Sequence, residues 1–155
     1  MIVLIESAFK HIDTAVSSLV DICDQLSEED LDLTPIEGKR SIRELLSHLA
    51  LVCRADLYIS EGSSEEEMTQ FYQENCVCSV NQIKDSFIEN RNFLYQRYMQ
   101  FTTEELLHVT TSYWGASYSR LEWLLEMMGH MYHHRGQLYT MLTLTGREPK
   151  TAMFV

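Results

Sequence analysis

The stretch IESAFKHIDTAVSSLVDICDQL, Ile5 to Leu26, fixes the class of fold. Its apolar residues Ile5, Phe9, Ile12, Val16, Leu19, Cys23 and Leu26 recur in alternating steps of four and three. That is the seam of a helix packed nearly parallel to its neighbours. Asp13, Ser17, Asp21 and Asp24 fall between them and form the wet face. The acidic run SEEDLDLTPIEGKR, with Pro35 and Gly38, then breaks the period and reads as a connection.

Working outward, SIRELLSHLALVCRADLYI gives a second helix, opened by Ser41 with Glu44 three residues on. This is the capping-box pattern that satisfies orphan N–H groups in a first turn. Ile42, Leu45, Leu49, Val52 and Cys53 form its apolar side, and His48 falls among them. SEGSSEEEMTQ is polar and reads as a loop or a short solvated helix. Val80, Ile83, Phe87, Leu94, Tyr98 and Phe101 mark a third long helix, and TTEELL a single capped turn. HVTTSYWGASYS reads as a short extended connection rather than a sheet. A last long helix starts at Ser119, capped by Glu122, and stops at Gly146 with Pro149 beyond. Four long helices in one 155-residue domain, residues 1–155, predict an all-α four-helix bundle.

Bulk properties narrow the function. The net charge of −11 disfavours binding to phosphate backbones, so nucleic acid is not an expected partner. No segment reaches the ~20 apolar residues of a membrane span, and MIVLIESAFK is too short an apolar run for a signal peptide. Neither nucleic acid nor membrane is therefore expected, and the location expected is cytoplasmic. The four cysteines, Cys23, Cys53, Cys76 and Cys78, are expected to be reduced and mostly packing residues.

The last helix carries EMMGHMYHHRGQLYTML, with three of six histidines within five positions. His130 and His134 are four apart, so their Cβ atoms lie about 5–6 Å from each other on one face. Both imidazoles can then reach one ion at Zn–N distances of about 2.0–2.1 Å. Met127 and Met141 share the stripe and turn it toward the interior. His133 lies about 100° round the helix from His134 and is excluded as a ligand. A third ligand must come from elsewhere, and the core-facing His48 is the candidate. Three neutral histidines with an open position match catalytic zinc; nickel, copper and iron also accept imidazole. The HExxH protease pattern fails, because Met131 follows His130.

SIRELLSHL and HMYHHRGQLYTMLTLTGREP resemble the DinB-like, or YfiT-like, damage-inducible metal-binding four-helix bundles of bacteria, which are unrelated to the polymerase sharing that name. The resemblance implies His48, His130 and His134 as ligands of a divalent metal, zinc or nickel, and a homodimer. It also implies a link to bacillithiol- or mycothiol-dependent transferases. The expected activity is thus a metal-dependent thiol S-transferase acting on a small-molecule electrophile, with a low-molecular-weight thiol as cosubstrate. A hydrolase using activated water is a close variant. The alternative is a non-catalytic bundle whose metal only fastens two helices. His133, Gln137, Glu44 and Glu126 are candidates to orient the ligands. Gly136, costly inside a helix, suggests close approach of a neighbouring helix or of substrate. His11 and His108 are expected at the surface, and no residue is assigned as catalytic base.

Overall fold

A computed structural model describes residues 2–154. The seam of the first stretch folds as expected: α1 spans Ile2–Cys23, with Ile5, Phe9, Ile12, Val16, Leu19 and Cys23 buried. Leu26 lies beyond the helix end and packs against the core from the connection. A 3-10 turn, Asp30–Asp32, follows. Then come α2 (Ile42–Ser60), α3 (Glu65–Glu74), α4 (Val80–Gln100), α5 (Thr103–Leu107) and α6 (Arg120–Leu144). Helices α2 to α6 each begin with a full capping box, so the local sequence sets every one of these starts. SEGSSEEEMTQ is thereby resolved as a solvated helix, α3, that buries only Met68.

The four long helices α1, α2, α4 and α6 form the bundle. Helices α1 and α2 each pack against both α4 and α6, and so face one another across the diagonal. Helix α2 is the most enclosed. Leu46, Ala50 and Leu51 are buried beside the expected Leu45, Leu49 and Val52. This enclosure holds the middle of α2, where His48 sits, against α6. Arg91 of α4 forks onto Asp13 of α1 at 2.5 and 2.8 Å, so part of the expected wet face of α1 is an ion pair between helices.

One expectation is overturned. HVTTSYWGASYS forms an antiparallel hairpin, β1 (Val109–Thr111) and β2 (Ser117–Ser119), with Thr110 opposite Tyr118. Gly115 supplies the positive φ of 93° that its turn requires. An isolated two-stranded hairpin is marginal in water. Here Trp114 and Tyr118 lie edge-on to the buried Trp123 of α6, with ring centroids 6.4 and 5.1 Å away. That tertiary support is invisible to strand periodicity.

The cysteines divide into two kinds. Cys23 and Cys53 are buried packing residues, whereas Cys76 and Cys78 are exposed, against the expectation that most would pack. All four are free thiols. Among the described residues no helix is long and apolar enough to cross a membrane.

Candidate metal centre

Helices α2 and α6 bring His48, His130 and His134 together. One ring nitrogen from each lies within 4.8 Å of the other two. His48 Nε2 is 3.2 Å from His130 Nε2, and the ring centroids of His48 and His134 are 4.7 Å apart. All three side chains are half-buried. Among the described residues they are the one group of three or more His, Cys, Asp or Glu side chains compact enough to share an ion.

The outward nitrogens are also fixed. His130 Nδ1 lies 2.8 Å from Asp56 Oδ2, and His134 Nδ1 lies 2.6 Å from Gln137 Oε1. A carboxylate and an amide oxygen accept, so each Nδ1 carries a hydrogen and each Nε2 is the nitrogen left to face the group. Gln137 is itself held, because its Nε2 donates to His133 Nε2 at 3.1 Å. His133 is thus a support behind His134. Its ring is exposed and it stands outside the group of three.

Electrostatics follow from this layout. Burial pushes His48 down to about 3, with the Arg40 guanidinium adding to the effect, so it is neutral and its lone pair is available. His134 is also lowered, chiefly by burial. His130 is raised, because its hydrogen bond to Asp56 favours the imidazolium against burial. His48 Nε2 and His130 Nε2 thus face each other 3.2 Å apart. Three ring nitrogens within 4.8 Å of one another are a donor set that suits a divalent ion.

Other expected residues fall differently. Glu44 accepts from the Ser41 backbone N–H at 2.7 Å and belongs to the helix cap; it does not orient His48. Glu126 is exposed beside His130, whose hydrogen-bond partner is Asp56. Gly136 has nothing within 4 Å of where a Cβ would stand, so no neighbouring helix approaches it. His11 and His108 are exposed, as expected. Asp56 was missed. Its signal was an acid within the apolar run LALVCRADLYI, two turns beyond His48 on α2, and it is 9% exposed.

Open cavities border each histidine. One of about 680 Å³ lies between His134, Gly136, Gln137, Leu45 and Arg40. A second of about 410 Å³ is bounded by His130, Asp56, Tyr72, Tyr113, Trp114 and Trp123. The hairpin supplies Tyr113 and Trp114 to that wall, which explains why it matters to the site. A third, of about 500 Å³, opens on His48 between Arg40, Ser47, Tyr72 and Cys76.

A helical bundle with a three-histidine cluster joining its second and last long helices defines the class. The DinB family profile matches residues 1–154, and the chain belongs to the DinB family. It is similar to a DinB-family crystal structure from Exiguobacterium sibiricum 255-15, with 35% identity, a TM-score of 0.86 and coverage of 97% of each chain. A DinB-like protein of Bacillus cereus shares the fold at 18% identity and TM-score 0.75, covering 95% of this chain and 96% of that one. The mycothiol-dependent maleylpyruvate isomerase shares it at 12% identity and TM-score 0.66, over 86% of this chain and 60% of its own. No curated protein matches the chain.

Proposed function

We propose that this chain is a metal-dependent thiol S-transferase, in which His48, His130 and His134 hold one divalent ion, zinc or nickel. A low-molecular-weight thiol is the cosubstrate and a small electrophile the substrate. The observation that carries the reading is the convergence of three imidazoles, two of them with Nδ1 tied back to Asp56 and Gln137. When bound, the ion supplies Lewis acidity that stabilises a thiolate near neutral pH.

The chain's own residues do the remaining work. Asp56 and Gln137 fix the tautomer and ring orientation of His130 and His134. Burial keeps His48 neutral. Tyr72, Tyr113, Trp114 and Trp123 give the electrophile an apolar wall beside His130. In the transfer the thiol sulfur forms a bond to the electrophilic carbon. The leaving group departs with the bonding pair, and the thiol proton passes to solvent.

A purely fastening metal calls for a fourth protein ligand, and the compact group among the described residues stops at three. That, with a cavity on every histidine, favours the open-site reading. The shared fold of a mycothiol-dependent enzyme supports a thiol as cosubstrate.

The first test is elemental analysis of natively purified protein beside His130→Ala/His134→Ala. About one equivalent of zinc or nickel per chain, lost in the double variant, is expected. Absence of metal after reconstitution would overturn the reading. With metal present, thiols should accelerate conjugation of common electrophiles over the variant; equal rates would leave a metal-binding bundle without transferase activity.

A further inference from the structure

A second reactive cluster lies at the mouth of the His48 cavity. Cys76 and Cys78, in the segment between α3 and α4, are both exposed, and their sulfurs are 3.8 Å apart. The segment is pinned on both sides. Ser47, the neighbour of His48, donates its hydroxyl to the Val77 carbonyl at 2.7 Å, and Arg43 donates to the Cys78 carbonyl. Cys78 N–H donates to Gln82 Oε1 at 3.1 Å within the cap of α4. Two thiols held 3.8 Å apart on an anchored loop lie within about 2 Å of the disulfide bonding distance of about 2.05 Å.

The two thiols are not equivalent. Cys78 directly precedes Ser79, the cap of the 21-residue α4, and so sits in the positive end of the helix field. The Arg43 guanidinium bonded to its carbonyl is itself paired with Asp32 at 2.8 Å, so it anchors the segment without adding net charge. Cys76 lies two residues further from the helix, on the wall of the cavity that holds His48 and Tyr72. Its hydrogen bond with Cys78 raises the Cys76 thiol above its ordinary value.

We propose that Cys76 and Cys78 form a dithiol that low-molecular-weight disulfides oxidise to an intramolecular disulfide at the mouth of the His48 cavity, Cys78 attacking and Cys76 resolving. Cys78 thiolate attacks one sulfur of the small disulfide, forms a mixed disulfide and releases one thiolate. Cys76 then loses its proton to solvent and attacks the Cys78 sulfur. The protein disulfide forms and the second small thiolate leaves. The protein loses two electrons and the small disulfide gains them. Cys23 and Cys53 take no part, because burial pushes both thiols up to about 12.

The proposal does not depend on the metal reading, and its test reads mass rather than activity. Full-length protein is treated with oxidised glutathione and followed by intact mass spectrometry. Wild type should lose two hydrogen masses and keep no adduct. Cys76→Ser should hold one stable glutathione adduct at Cys78. Cys78→Ser, which leaves only the resolving thiol, should react about tenfold more slowly. Wild type that retains adducts without losing two hydrogens would overturn the disulfide. Equal rates in the two single variants would overturn the assignment of Cys78 as the attacking thiol.

Discussion

His130 Nδ1 lies 2.8 Å from Asp56 Oδ2, a carboxylate buried on α2 two turns beyond His48. One helix therefore presents both an imidazole of the cluster and the acid that aligns the imidazole of the other helix. A carboxylate behind a histidine sets its tautomer and increases the basicity of the opposite nitrogen.

Asp56→Asn keeps an acceptor but removes the charge. Affinity for zinc, measured by competition with a chromophoric chelator, should fall about tenfold or more. Gln137→Ala should act in the same direction through His134. Unchanged affinity in both variants would mean that these contacts do not orient the histidines.

Acid should expose the burial of His48. Its value is lowered from 6.5 to about 3, so the unfolded chain takes up a proton that the folded chain refuses. Stability contributed by His48 is complete above pH 6.5 and is lost as pH falls toward 3. His130, raised by Asp56, has the opposite sign: it stabilises the fold below 6.5 and ceases to do so as pH rises through its raised value. Thermal midpoints in chelator should fall more steeply with acid for wild type than for His48→Gln. Parallel curves would show that His48 titrates as an ordinary solvated histidine.

Glu44 tests the division between cap and site. Glu44→Gln weakens the charge in the capping box and should lower the thermal midpoint slightly while leaving zinc affinity unchanged. Loss of affinity at least as large as that of Asp56→Asn would place Glu44 in the site after all.

Gly136 has open space where a Cβ would stand, and it lies within α6 at an ordinary helical position. Gly136→Ala should raise stability by about 1 kcal/mol, by helix propensity alone. Urea denaturation decides it: a lower midpoint would reveal a steric conflict at this site. The added methyl also enters the wall of the cavity beside His134, so a substrate using that cavity should bind less well.

Local sequence determined the helices and two of the three histidines of the cluster. The seam from Ile5 to Cys23, the paired residues Ser41/Glu44 and Ser119/Glu122, and the four-residue step from His130 to His134 are all set by helix geometry within a turn or two. The period of the helix writes such relationships directly into the sequence. The resemblance carried by SIRELLSHL and HMYHHRGQLYTMLTLTGREP singled out the same three histidines. Tertiary structure alone decided the rest. His130 meets Asp56 from 74 positions away and His48 from 82, and nothing periodic links them. The hairpin needs Trp123 beneath it, and Glu44 is taken by its cap before it can reach His48. The Cys76–Cys78 segment is placed beside His48 by Ser47 and Arg43. These contacts depend on how α2, α4 and α6 pack, and packing is set by the summed burial of side chains far apart in the chain.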